Sequence, residues 1–329
     1  MTKRLTRREL LAVPAAAGAA MAATGRSDAA DAGFKTKLHK ALITGKINEK
    51  TLARMKEAGF EGVECGAWNV KPAEAEKARA VAEKAGMKIH SVMRAWVNFN
   101  QANRIEGDIK SVEVALKAAA GYGADAILLV PCRTGGMPMP QPWEFDIAFD
   151  KKTAEVTRVA KGDNTKYEKY IEAHNHATKV SREALKRLIP TAEKSKVVIA
   201  IENVWNNLWV RPAPAAGFIR SVGSPWVQFY FDIGNHVKYA PPEQWIRTFG
   251  KPLGPPGGMI VKCHVKDFKL NADGRGGRFC NIRDGSVNWP SVRKELDKIG
   301  YNGWMTIEGS GGLSLKEQSK RLDLIIAGK

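Results

Sequence analysis

Four residues of metal-binding type stand near the ends of four consecutive β-like runs. They are Glu202 in Ile199-Ala200-Ile201-Glu202-Asn203, Asp232 in Phe231-Asp232-Ile233-Gly234-Asn235, His264 in Cys263-His264-Val265-Lys266-Asp267, and Glu308 in Thr306-Ile307-Glu308-Gly309. Each alone reads as an ordinary capping carboxylate or core histidine. Together they form a hard donor set of three carboxylates and one imidazole. Such a set suits Mn²⁺, Mg²⁺ or Co²⁺, with Zn²⁺ also compatible. A divalent ion there would polarise a carbonyl and acidify the adjacent C–H. Two carboxylates at one carbon could then take a proton and return it.

Strand alternation adds neighbours to this set. If His264 points inward, Lys266 does too, while Cys263 and Val265 face outward. Lys266 is then poised to bind a substrate oxygen or to stabilise an enolate. Asp267 either orients His264 or caps the loop that follows. The same parity turns Glu64 inward at the end of the second run, either supporting a ligand or facing the substrate.

The elements that must hold these residues alternate. Strand-like runs are Leu42–Gly45, Gly62–Gly66, Lys88–Met93, Ala126–Cys132, Val197–Asn203, Val227–Asn235, Ile260–Asp267 and Gly303–Gly309. Most are short and apolar, as strands covered on both faces should be. Helical patterns lie between and after them: Glu49–Ala58, Ala73–Ala85, Glu106–Gly121, Glu168–Lys194, Ala213–Val222, Pro242–Phe249, Val292–Ile299 and Leu315–Ile326. In the longest, Tyr170, Ala173, Ala177, Val180, Ala184 and Leu188 form a stripe. Several helices close on a glycine before the next strand. Eight such units read as a single-domain (β/α)₈ barrel over 34–329, with the four ligand-type residues at its carboxyl-end mouth. An open doubly wound sheet would carry a Gly-rich phosphate turn after the first strand. Here that position reads Thr44-Gly45-Lys46-Ile47. Residues 133–165 are long for a strand–helix loop, and a lid or substrate wall is expected there.

Composition narrows the function classes. The chain has 329 residues, 52 Lys+Arg and 34 Asp+Glu, a net charge of +18. Residues 1–27 hold five basic residues and one acidic residue, so +14 belongs to the remainder. Between 151 and 196, twelve basic residues interleave with six acidic ones, the pattern of a solvated helix surface. Charge of that kind gives non-specific attraction without a site, and nucleic-acid binding is not expected. Four cysteines are too few for a disulfide scaffold, and buried free thiols are expected. No apolar run reaches the ~20 residues of a membrane span. Residues 1–30 begin with Thr6-Arg7-Arg8-Glu9-Leu10-Leu11 and an Ala-rich stretch, which reads as a twin-arginine export signal and a periplasmic destination.

At these residues the chain resembles the sugar phosphate isomerase/epimerase superfamily, with its xylose isomerase-like TIM barrel. The resemblance covers most of the chain after the signal. It rests on Ile201-Glu202-Asn203, Phe231-Asp232-Ile233-Gly234-Asn235, His264-Val265-Lys266-Asp267, Gly285-Ser286-Val287-Asn288-Trp289 and Gly300-Tyr301-Asn302-Gly303-Trp304-Met305-Thr306-Ile307-Glu308. It implies a divalent metal, commonly Mn²⁺, on Glu202, Asp232, His264 and Glu308, with Glu202 and Glu308 as the acid/base pair. The sequence departs from the family at Asn235, where many relatives carry His, with His236 one step later. It departs again at the turn Arg283-Asp284-Gly285-Ser286. These departures bear on the substrate rather than the metal. Apurinic-site endonucleases of similar fold need more histidines than the six present.

The expected activity is metal-dependent sugar isomerisation or epimerisation through an enediolate. Lys266, His236, Glu64, Asn235, Arg278 and Trp205 are expected to face the substrate, with Trp68, Trp96 and Trp209 as further candidate walls. The partner expected is a small carbohydrate. A lyase or hydratase acting on keto-glycosides, and a non-catalytic exported sugar-binding barrel, are the alternatives. A homo-oligomer is compatible with the sequence.

Overall fold

The first strand starts ahead of its apolar run. In a computed structural model describing residues 33–250 and 258–329, β1 is Leu38–Thr44, because His39 and Lys40 continue the extended chain ahead of Ala41 and Leu42. The alternation then runs α1 (Glu49–Glu57), β2 (Gly62–Cys65), α2 (Pro72–Lys84), β3 (Lys88–Trp96), α3 (Ile105–Tyr122) and β4 (Ala126–Val130). A hairpin of β5 (Phe145–Phe149) and β6 (Val156–Ala160) precedes α4 (Glu168–Ser195), β7 (Val198–Glu202), α5 (Pro212–Val222), β8 (Val227–Asp232), α6 (Pro242–Phe249) and β9 (Ile260–Val265). A second hairpin, β10 (Asp267–Leu270) and β11 (Gly277–Cys280), leads to α7 (Trp289–Lys298), β12 (Gly303–Ile307) and α8 (Leu315–Ile326). The expected export signal lies outside the described residues. No described helix is long and apolar enough to cross a membrane.

Eight strands close into one parallel barrel, in the order β1-β12-β9-β8-β7-β4-β3-β2. The runs are buried because helices cover the outside. All five residues of β4, Ala-Ile-Leu-Leu-Val, are buried. The main apolar core lies between sheet and helices. A second, small cluster of Leu128, Val130, Ala200 and Tyr230 fills part of the barrel interior. Much of the remaining interior is polar, with Glu64, Ser91, His264 and Thr306 all fully buried. Burying such groups costs free energy unless they find partners, so the interior is where chemistry is to be sought.

The α4 stripe is rotated from the expected one. Ala173 and Val180 are only half-buried, while His174, Thr178 and Ser181 join Ala177, Ala184 and Leu188 on the buried face. These polar groups are tolerated because they are partnered. His174 Nε2 accepts from the Trp209 amide at 3.3 Å, and Thr178 Oγ1 accepts from Trp209 Nε1 at 3.1 Å.

The long segment after β4 is ordered. Phe145, Val156, Val159 and Ala160 pack with Tyr167, Tyr170, Val210 and Tyr239 as a separate apolar cluster. Asn175 donates to the Val156 carbonyl at 2.9 Å and accepts from its amide at 2.7 Å. The Arg211 guanidinium donates to the carbonyls of Phe145 and Tyr239. The hairpin β10–β11 was not expected. It is clamped by Asp267, which accepts from the amides of Phe268, Arg283, Gly285 and Val287 and from Trp289 Nε1. Asp267 therefore caps the following loop, and its hydrogen bonds go there and not to His264. The four cysteines are free; three are buried, and Cys280, half-buried, ends β11.

Candidate metal centre

The barrel register sets the heights of the four ligand-type side chains. Asp232 and Thr306 both lie directly opposite His264, on β8 and β12. Glu202 ends β7 opposite Tyr230, and Glu308 follows β12 by one residue. The result is convergence at the carboxyl end of the barrel. One donor atom from each of Glu202, Asp232, His264 and Glu308 lies within 4.8 Å of the others.

The contacts divide Asp232 and Glu308 each into a held oxygen and one without a hydrogen bond. Asp232 Oδ1 accepts from the amides of Gly234 and Asn235 at 2.8 and 2.6 Å, and Oδ2 has no hydrogen-bond partner. Glu308 Oε2 is buried and also unpartnered. It lies 2.9 Å from His264 Nδ1 without hydrogen-bond alignment. Nδ1 is 3.2 Å from Glu202 Oε1. Two orphaned carboxylate oxygens facing one imidazole nitrogen are what a divalent cation would satisfy. The donor set fits such an ion.

Electrostatics agree with that fit. Burial pushes the Asp232 carboxyl up to about 7, with Lys266 opposing and the charges of Glu308 and Glu202 adding. Burial raises Glu202 as well. Burial also works against charge on His264 and Lys266, yet the surrounding carboxylates outweigh it and raise both. These shifts describe an acidic pocket in which burial opposes the carboxylate charges while those carboxylates keep His264 and Lys266 charged.

Lys266 reaches into the cluster as alternation requires. Its Nζ lies 3.0 Å from Glu308 Oε1 and 3.4 Å from Asp232 Oδ2, and donates to Asn235 Oδ1 at 3.2 Å. Asn235 itself donates to the Asn203 carbonyl at 3.0 Å, so it braces Lys266. Gly234 makes this turn feasible, since a Cβ there would sit 2.6 Å from the Lys266 carbonyl oxygen.

Other expected substrate contacts are not at the cluster. Glu64 is inward but fully buried, with Oε2 2.6 Å from His264 Nε2, so it meets the imidazole and not a substrate. His236 is buried, its Nε2 2.9 Å from the Val204 carbonyl, and its ring packs against Tyr239 and Trp245. Burial lowers it to about 3. The ring thus packs against α6, where Trp245 lies, and not against the four donors. Arg278 is an exposed residue of β11, paired in register with Lys269. Trp209 is a core residue stacked on Phe218 at 3.8 Å.

Trp205 does belong to the mouth. It stacks on Phe279 at 4.8 Å, and Lys266 Nζ lies 5.1 Å from that Phe279 ring. Lys238 Nζ sits 3.4 Å over the Trp205 ring. Trp68 and Trp96 are half-buried and exposed at strand ends, under Arg94 and Arg133 respectively. Cavities of about 690 and 720 Å³ open at the amino-end of the barrel and beside β5–β6. Neither is lined by a cluster residue, so donor geometry rather than cavity size identifies the centre.

Sequence reasoning missed Asn203, Ser91 and Tyr230. Asn203 accepts from the Asp232 amide and donates to the Asp232 carbonyl, both at 2.8 Å. Its position directly after Glu202 was the available signal.

Comparison with known proteins agrees with this architecture. The sequence model of the xylose isomerase-like TIM barrel family matches residues 52–323. The L-ribulose-5-phosphate 3-epimerase UlaE of Escherichia coli is 30% identical over 141 residues, 42% of this chain and 45% of that one. The matched stretch thus spans about half the length of such curated relatives. The 3-keto-D-glucoside 4-epimerase YcjR of E. coli superposes with TM-score 0.62 at 14% identity, covering 88% of this chain and 99% of the other. A Mycobacterium smegmatis protein of the same fold, solved in complex with magnesium, gives 0.58 at 16% identity, covering 89% and 96%.

Proposed function

The chain belongs to the xylose isomerase-like TIM barrel family, and on that premise we propose that it is a divalent-metal-dependent sugar isomerase or epimerase. The observation that carries the reading is the convergence of four donor atoms within 4.8 Å, where two buried carboxylate oxygens, Asp232 Oδ2 and Glu308 Oε2, have no hydrogen bond. Glu202, Asp232, His264 and Glu308 would hold the ion, for which we propose Mn²⁺. The ion supplies polarisation of a sugar carbonyl, which acidifies the neighbouring C–H.

The chain's own groups do the rest. Glu202 or Glu308 takes the proton from the carbon next to the carbonyl, leaving its electron pair in a cis-enediolate. The other glutamate returns a proton to the opposite face of that carbon for epimerisation. Return at the adjacent carbon gives isomerisation. Lys266, braced by Asn235, offers its ammonium to the developing oxyanion. Trp205 and Phe279 would wall an apolar sugar face. The substrate is a small carbohydrate, and the epimerase names of the relatives support that class. Residues 1–30 are proposed as an export signal, which recovery of N-terminally processed protein from the periplasm would test.

The test is product analysis with metal-reconstituted protein on a panel of ketoses and 3-keto-glycosides. Interconversion of epimers or of aldose and ketose supports the reading. Release of a glycosidic leaving group instead would make the protein a lyase using the same proton abstraction. Metal and sugar binding without turnover would make it a binding protein.

A further inference from the structure

His264 is gripped from behind. Its Nε2 lies 2.6 Å from Glu64 Oε2, across the barrel and 200 residues away in sequence. The other oxygen of Glu64 accepts from Ser91 Oγ at 3.0 Å, and Ser91 Oγ is 3.4 Å from the Tyr230 hydroxyl. The Tyr230 ring lies 4.5 Å from the imidazole. All four residues are fully buried. Neither lysine nor arginine pairs with Glu64 among the described residues; its one ionic partner is His264.

The fold goes out of its way to build this contact. Between β2 and β3 the register slips after Val63, which pairs with Ile89, so that Glu64 pairs with Ser91 and His90 is skipped. A bulge of this kind re-aims one side chain and is common beside functional sites. Here it brings a hydroxyl donor to the Glu64 carboxylate.

The donor count fixes the imidazole. A buried carboxylate needs donors on both oxygens. Ser91 supplies one, and the other must be Nε2–H. With an ion bound among Glu202, Glu308 and Asp232, Nδ1 on that side of the ring would give up its proton and offer the ion its lone pair.

We propose that Glu64 is a positioning residue for the metal centre. It holds His264 in the Nε2–H tautomer, fixes the ring plane and strengthens Nδ1 as a ligand, and it never touches the substrate. Partners of this type commonly contribute 10–100-fold to metal affinity. The inference rests on the metal-centre reading above, but it concerns affinity and not turnover.

The experiment is calorimetric titration of chelator-stripped protein with MnCl₂ and with ZnCl₂, for wild type, Glu64→Gln and Ser91→Ala. The Glu64→Gln change keeps the shape and an acceptor but removes the charge. The dissociation constant of that variant is expected to rise at least about tenfold, and that of Ser91→Ala severalfold. The ¹⁵N spectrum of Zn²⁺-loaded wild type should show a protonated Nε2 and a metal-bound Nδ1 for His264. With saturating ion, KM for a turned-over sugar should stay near wild type, because Glu64 does not meet substrate. Folded Glu64→Gln with wild-type affinity for both ions overturns the proposal and leaves the centre standing. If Glu64→Gln does not fold, unchanged affinity in Ser91→Ala overturns it. Wild type that binds neither ion overturns the metal centre itself.

Discussion

Lys266 Nζ lies 3.0 Å from Glu308 Oε1, whereas Glu202 meets His264 Nδ1 at 3.2 Å. The two glutamates therefore do not share one environment. Burial would raise Glu308, but His264 and Lys266 outweigh it and hold that carboxyl below its usual range. Burial dominates at Glu202 and raises it. Pairs of carboxyls pushed apart in this way suit complementary acid and base roles.

Replacing either glutamate with glutamine should abolish that pairing. Glu308→Gln and Glu202→Gln are each expected to lower kcat by about 10²–10⁴-fold. Glutamine retains an amide oxygen, so weakened metal binding should remain measurable. Steady-state kinetics with saturating ion checks this, and wild-type kcat in both variants would remove the acid/base assignment.

Lys266→Met should move metal binding and turnover in opposite directions. Removing an ammonium from beside Asp232 and Glu308 relieves its repulsion of a dication, so the ion should bind more tightly. Loss of a donor to the developing oxyanion should cost about 10²-fold in kcat. Titration and kinetics on the same preparation separate the two effects.

Asp267 should prove a stability residue rather than a catalytic one. It accepts from four amides and from Trp289 Nε1, and burial raises its carboxyl despite those bonds. Asp267→Ala leaves buried donors unpaired and is expected to cost about 2–4 kcal/mol. Urea denaturation measures this, and faster proteolysis within 267–288 should accompany it.

His174 predicts a loss of stability in acid. Burial depresses it from 6.5 to about 4, so the folded state holds it neutral where the unfolded chain would protonate it. Between pH 6.5 and 4 the unfolded state binds the extra proton. Its contribution is fully present above the unfolded value and declines as pH falls through that window. The slope from one such group approaches ~1.4 kcal/mol per pH unit. In His174→Gln the denaturation midpoint should depend less on pH over this range.

The barrel was legible because both faces of its strands are covered, which makes β4 or β8 read as an apolar block. Ends were less legible where polar residues continue a strand, as His39 and Lys40 do in β1. The hairpin β10–β11 was hidden because Gly277, Arg278 and Phe279 are exposed and carry no buried pattern. Parity found Lys266 and turned Glu64 inward, but parity carries no height. Only the folded contact, Glu64 Oε2 at 2.6 Å from His264 Nε2, shows that Glu64 lies behind His264. His236 was misread because closeness to Asp232 in sequence says nothing about which way a turn faces. Its imidazole meets the Val204 carbonyl instead.

The central claim is proton transfer by Glu202 and Glu308 at a carbon next to a sugar carbonyl. Its most direct test is solvent-deuterium incorporation in D₂O, by metal-loaded wild type and by Glu202→Gln and Glu308→Gln, on sugars of the ketose and 3-keto-glycoside panel. The predicted result is deuterium at the carbon next to the carbonyl with wild type, and its loss in both variants. Product formed without deuterium, no exchange with any sugar of the panel, or exchange undiminished in both variants would contradict that claim.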